Sequence, residues 1–249
     1  VNVSLLQLSV RDGDTRRNLE MLRLYLRSVK SDMYLTPEMF LTGFVITDEP
    51  ESYSISSDLW SEMAELSRGK TLGIGGPLYE GGNLYNAYLI FHDGKVLNIR
   101  RKMMLFKPML EDQVFSEGEP PGIFEIEGIK FSTLICYELR FPELFWESAK
   151  NGAQVFIVPA AWPKSRELAW IHLVHARAIE NLGIVLAVNR WGKGRFGPFA
   201  GHSTVALPSG EGFEVDNGIG VVIYNLKSEE IEEARNFVAW EDRLKWFKE

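Results

Sequence analysis

Short apolar runs alternate along this chain with segments of helical hydrophobic period, and twice an acidic residue and a glycine separate two such runs. That pattern constrains the fold more than any other feature. Short apolar runs suit buried strands, and an Asp-Gly type pair between two of them marks a hairpin. Residues 1–8, 33–36 and 71–74 read as buried strands. Residues 86–91 and 95–99 flank His92-Asp93-Gly94. Residues 123–126 and 130–135 repeat the pattern around Glu127-Gly128. Between the runs, Asp14 or Thr15 can cap a helix with Leu19, Leu22, Leu26 and Val29 on one face. Ser57 can cap a second, with Leu59, Trp60, Met63, Ala64 and Leu66 inside. Pro142 opens a third that runs to Lys150 before Gly152. Residues 167–181 form a fourth, ending before Gly183. Further strands fall at 155–158, 184–188, 203–207 and 221–226. Alternation alone would allow a doubly wound parallel sheet. The hairpins demand antiparallel pairs as well, and a mixed-sheet sandwich covered by helices satisfies both.

With no repeat, linker or composition break, residues 1–249 are expected to form a single domain. Residues 239–249 carry aromatic side chains amid charge and are expected to dock, on a partner subunit or on their own domain. At 249 residues and 45% hydrophobic, the chain can bury a core without metal or disulfide. Its net charge of -7 leaves no basic excess to neutralise phosphates, which argues against a nucleic-acid partner. The single cysteine permits no intramolecular disulfide and fits a reducing compartment. No apolar stretch nears the roughly 20 residues of a membrane helix. The first residues lack the pattern of a signal peptide. The expectation is a soluble, cytoplasmic protein with no membrane partner.

Three reactive residues share one placement. Glu38 follows the run Met33-Tyr34-Leu35-Thr36-Pro37, Lys102 follows residues 96–100, and Cys136 follows residues 130–135. Each stands at or just past the carboxyl end of a strand, the edge where layered α/β proteins build sites. A free thiol is mostly protonated at neutral pH. A neighbouring carboxylate can take its proton, and a neighbouring ammonium can favour the thiolate and later hold an oxyanion. Each residue also has a bland reading. A lone cysteine after an apolar strand is ordinarily an inert small hydrophobe. Glu38 can cap a helix or pair with an arginine, and Arg100-Arg101-Lys102 can be a solvated surface. His172 and His175 lie three apart on one helix, but without a fitting third ligand they do not make a metal site. A Cys136 pair with His175 or His202 is a further arrangement that spacing leaves open. The glycines of Gly73-Ile74-Gly75-Gly76 lack the ending of a phosphate loop.

The local sequences around the trio carry a resemblance. Pro37-Glu38-Met39-Phe40 with Thr42-Gly43-Phe44, Arg101-Lys102-Met103-Met104-Leu105-Phe106, and Cys136-Tyr137-Glu138-Leu139-Arg140-Phe141-Pro142-Glu143 resemble three motifs of the nitrilase (carbon–nitrogen hydrolase) superfamily, in the family's order. The third is similar to that family's Cys-Tyr-Asp-Leu-Arg-Phe-Pro-Glu. Residues 176–181 and Gly201-His202-Ser203 match two later segments. The resemblance implies a four-layer αββα sandwich of two mixed sheets flanked by helices, no cofactor, no metal, and a homodimer or higher homo-oligomer. It implies a triad of Glu38 as general base, Lys102 as second member and Cys136 as nucleophile. Glu111 becomes an auxiliary carboxylate, and the Tyr137 N–H an oxyanion donor. The implied chemistry is hydrolysis of a small carboxamide through a thioester. Trp162-Pro163, residues 176–181 and Val188-Asn189-Arg190 look most like the omega-amidase branch, which acts on 2-oxoglutaramate-like monoamides. Trp162, Arg190 and Phe44 are its candidate substrate contacts, with Lys164 as another basic candidate. Ala169-Trp170 departs from the His-Trp of relatives. The alternatives are an aliphatic amidase, an N-carbamoyl amino-acid hydrolase, or a catalytically silent oligomeric binding scaffold.

Overall fold

The structure, a computed structural model, describes residues 1–238 and 240–246. The chain builds β1 (Asn2–Gln7), β2 (Met33–Leu35), β3 (Thr71–Glu80), β4 (Asn83–His92) and β5 (Lys95–Arg101) into one sheet. It then forms β6 (Ile123–Ile126), β7 (Ile129–Thr133), β8 (Val155–Ala160) and β9 (Ile184–Asn189). A small hairpin of β10 (Trp191–Gly194) and β11 (Gly197–Ala200) precedes β12 (Ser203–Ala206) and β13 (Gly212–Val215). The last strand, β14 (Gly220–Asn225), returns to the first sheet. The first sheet runs β14-β1-β2-β3-β4-β5 and the second β13-β12-β9-β8-β7-β6. Both are mixed: β1, β2 and β3 pair in parallel and β3, β4 and β5 antiparallel. Likewise β7, β8 and β9 are parallel, with β6 and β12 antiparallel at their flanks.

Strand alternation explains how the sheets stack. Val3, Leu5, Met33, Leu35, Tyr88 and Ile90 face the second sheet, in one core with Phe131, Val155 and Ile157. Leu6, Tyr34, Leu72, Ile74, Leu89 and Phe91 face the other way. There they pack on α1 (Thr15–Ser28) and α2 (Asp58–Leu66) through Leu19, Leu22, Trp60 and Met63. The far face of the second sheet is covered by α3 (Pro142–Lys150) and α4 (Glu167–Asn181), through Phe145, Trp170, Val174 and Ala178. The result is helices, sheet, sheet, helices.

Both expected hairpins form. Asp93-Gly94 and Glu127-Gly128 each place two consecutive residues at positive φ, as tight hairpin turns require. Asp14 caps α1 by accepting from Arg17 N at 3.1 Å. Helix α4 ends before Gly183 as expected, with Leu182 as its left-handed C-cap residue (φ 44°). Two short helices, α5 (Glu229–Phe237) and α6 (Trp240–Trp246), follow the last strand. The indole of Trp240 packs edge-on against Trp146 of α3 at 5.7 Å, so the tail docks there on its own chain. Ala239 and residues 247–249 lie outside the described residues. No helix among the described residues is long and apolar enough to cross a membrane.

Candidate active site

The carboxyl ends of β2, β5, β7 and β8 open onto one cleft between the sheets. Glu38 stands in the turn after β2, and the sequence makes room for that turn. A Cβ at Gly75 of β3 would lie 2.4 Å from Pro37 O and 2.7 Å from Met39 N. The Gly73-Ile74-Gly75-Gly76 run is thus a place of close backbone approach. Lys102 directly follows β5, its N–H donating to Asn86 O at 2.8 Å. Cys136 begins a 3-10 turn (Cys136–Arg140) after β7, with its backbone at φ 49°. A non-glycine residue in that region is uncommon, and such strain clusters at functional sites.

The structure brings Glu38, Lys102, Glu111 and Cys136 together. The Lys102 ammonium donates to Glu38 Oε1 and to Glu111 Oε1, each at 2.7 Å. Lys102 is 0% and Cys136 5% exposed, so these charges act in a dry environment. Each carboxylate is held from behind. Glu38 accepts from Asn86 Nδ2 at 2.8 Å and, across the sheets, from Ala161 N at 3.0 Å. Glu111 accepts from Phe106 N at 3.1 Å.

Burial alone would discharge Lys102, but Glu111 and Glu38 outweigh it and hold the ammonium charged well above lysine's ordinary range. Burial pushes Glu111 up to about 7, with Lys102 opposing and Glu38 adding to the rise. Burial and the adjacent Glu38 carboxylate raise the Cys136 thiol well above its ordinary value, against the pull of Lys102. The resting sulfur is therefore a protonated thiol facing a carboxylate that can take its proton during attack.

A small pocket opens over Cys136, walled by Phe106, Met109, Tyr137, Ala161, Trp162 and Pro163, with Arg140 and Arg166 beside them. Trp162 organises this wall. Its indole Nε1 donates to Arg166 O at 2.8 Å, and the Arg140 guanidinium stacks over its ring at 5.0 Å. Among the described residues neither arginine has a carboxylate partner.

Trp162, expected at the substrate, lines this pocket, whereas the other two candidate contacts do not. Arg190 is 1% exposed, and its guanidinium donates to Asp12 Oδ1 at 2.8 Å and to Val10 O at 2.7 Å while stacking on Phe199. It braces the β10–β11 hairpin, where Nη2 also donates to Lys193 O at 3.3 Å, and it is not among the side chains that line the pocket. Phe44 does not line the pocket and packs in a small core with Met39, Leu105 and Phe115, which shares Met109 and Ala161 with the pocket wall. Lys164 pairs with Glu167. The Cys–His alternatives also fail: His202 engages Glu167 at 2.5 Å and His175 lies against Gly212. No group of three or more metal-ligating side chains occurs among the described residues.

The sequence reading missed Asn86, Arg140, Arg166 and the supporting role of Glu138. Asn86 carried a signal, since a polar residue inside an apolar strand must find a buried partner. The arginines carried none, because only the fold brings residues 140 and 166 to one opening.

A model of the carbon–nitrogen hydrolase family matches residues 2–236. The 2-oxoglutaramate amidase of Bacillus subtilis (strain 168) is 32% identical over 215 residues, covering 84% of this chain and 83% of that protein. A carbon–nitrogen hydrolase superfamily protein from Xanthomonas campestris, solved with an arsenic adduct in its active site, superposes with a TM-score of 0.87. It is 26% identical and covers 97% of this chain and 96% of its own. A cysteine-to-alanine variant of the amidase from Nesterenkonia sp. AN1, solved with butyramide, gives 0.83 at 26% identity, covering 97% and 96%.

Proposed function

The chain belongs to the carbon–nitrogen hydrolase family, and on that premise we propose that it hydrolyses a small carboxamide through a thioester on Cys136. The observation that carries this reading is the buried convergence of carboxylate, ammonium and thiol beside a pocket. Glu38 takes the thiol proton as sulfur attacks the amide carbon. The oxyanion forms between the Lys102 ammonium and the Tyr137 N–H. That N–H belongs to the first turn of a helix, where amides lack intrahelical partners. The tetrahedral adduct collapses, the C–N bond breaks, and the proton held by Glu38 leaves with the nitrogen as ammonia. Water then gives a proton to Glu38 and attacks the thioester. Collapse of the second adduct releases the acid, and the thiolate recovers its proton. Glu111 keeps Lys102 oriented through both halves.

The substrate class proposed is the monoamide of a short oxo-dicarboxylic acid, as for the 2-oxoglutaramate amidase of Bacillus subtilis. Two arginines without carboxylate partners at the pocket support it, because such a substrate brings its own carboxylate. The butyramide-bound relative and the apolar pocket walls favour a second reading, a short aliphatic amidase. A cytoplasmic setting and assembly as a homodimer or larger homo-oligomer belong to the same proposal, as does a single domain over the chain.

The test is ammonia release from 2-oxoglutaramate, butyramide, N-carbamoyl amino acids and nitriles. Wild-type protein is expected to turn over the oxo-acid monoamide best. Cys136→Ala and iodoacetamide-treated protein are expected to be inert, with chelators without effect. Equal turnover by wild type and Cys136→Ala on every compound would overturn the reading.

A further inference from the structure

Lys102 and Cys136 come from different sheets. Lys102 ends β5 of the first and Cys136 follows β7 of the second, so something must fix the gap between them. Glu138 spans it. One carboxylate oxygen accepts from Ile135 N at 2.6 Å, just before Cys136. The other accepts from Met103 N at 2.7 Å and Met104 N at 3.3 Å, just after Lys102. It also accepts from Arg100 Nη2 at 2.6 Å. Arg100, two residues before Lys102, in turn donates to Thr133 O at the end of β7, at 3.2 Å. Glu138 is 0% and Arg100 3% exposed. A charged hydrogen-bonded pair this deep is geometrically demanding, because neither member has water to fall back on.

We propose that Glu138 is a positioning residue of the hydrolysis, setting the approach of the Cys136 sulfur to the Lys102 ammonium across the two sheets. The proposal rests on the reading that these two groups act on the amide. All the groups around the Glu138 carboxylate are N–H donors. A glutamine there must turn its own NH₂ toward one of them, whichever way the amide lies. Aspartate keeps the charge but retracts the carboxylate by about 1.5 Å, one carbon–carbon bond, and cannot serve both loops at these distances. Aspartate is the residue of the family motif that residues 136–143 resemble. In this chain it is nevertheless not equivalent to glutamate.

The experiment compares Glu138→Gln and Glu138→Asp with wild type on 2-oxoglutaramate, with Cys136→Ala as control. Folded protein is verified by circular dichroism. The expected result is a kcat lower by about 100-fold for Glu138→Gln and about tenfold for Glu138→Asp, as an ångström-scale misplacement costs. KM stays within about twofold, since uniform binding is untouched. Alkylation of Cys136 by iodoacetamide slows in step with kcat, which a merely structural role would not produce. Wild-type kcat per folded molecule in either variant would overturn the proposal. So would a loss that tracks only the unfolded fraction, or failure of both variants to fold, which would assign Glu138 to the fold. If Cys136→Ala itself hydrolyses the amide, the underlying reading fails instead.

Discussion

At residue 136 a side chain stands in left-handed backbone, at φ 49°, where a Cβ costs roughly 1–2 kcal/mol. Cys136→Gly is therefore expected to be at least as stable as Cys136→Ala, by about 1 kcal/mol, reversing the usual order of the two residues. Urea denaturation of both variants checks this, and a more stable alanine variant would contradict it. Glu111 yields a pH prediction. Its carboxyl is ordinarily near 4.5 and rises to about 7 in the folded protein. Between those values the folded state holds the extra proton. The stabilising contribution is full below the lower value and is lost as pH rises through the upper one. Glu111→Gln removes this dependence, so denaturation midpoints measured across that window should fall with pH in wild type more than in the variant. Equal slopes would exclude the effect. The ionisable core of the site was legible because Glu38, Lys102 and Cys136 each follow an apolar strand and sit in distinctive motifs. Arg190 misled, because an arginine after a strand reads alike whether it meets a substrate or, as here, Asp12.

Among the elements, β3 shows how a strand can serve a site that it does not itself enter. Gly75 lets the Pro37–Met39 turn pass close against the strand. Gly75→Ala should displace Glu38 and lower kcat by about 100-fold. The overpacking should also cost about 1–3 kcal/mol of stability. Gly122→Ala, where a Cβ meets nothing within 4 Å, should leave both unchanged and serves as the control. Steady-state kinetics and thermal melts measure the pair, and indistinguishable variants would refute this role for β3. The β4–β5 and β6–β7 hairpins and the long helices were readable from turn chemistry and apolar period, whereas the β3–β4 hairpin was read only as separate strands at 71–74 and 86–91. The β10–β11 hairpin was not readable, since Trp191–Gly194 and Gly197–Ala200 lack an apolar alternation. It is held by tertiary contacts to Asp12, which accepts from Arg190 Nη1 and from Arg195 N at 2.7 Å.

For the whole molecule, the sandwich explains why the site lies between the sheets, with Glu38 and Lys102 following strands of one and Cys136 a strand of the other. The layer order was legible from the mixture of hairpins and crossovers, together with the family motifs. The arginines at the pocket required the three-dimensional arrangement of the chain, because residues 140 and 166 approach only when the turn after β7 meets the start of α4. Arg140→Met and Arg166→Met should each raise KM for 2-oxoglutaramate by about tenfold or more, the value of a charge-assisted hydrogen bond. Butyramide kinetics should stay nearly constant, and parallel losses on both substrates would remove these residues from recognition. Everything proposed for the site requires the reaction to pass through an acyl group on one sulfur. Rapid acid quench during turnover, followed by peptide mass spectrometry, reads it directly. The expected result is the mass of the acyl fragment, without its nitrogen, on the peptide that contains Cys136. Steady turnover with that peptide unmodified, or with the acyl group on another residue, would contradict it.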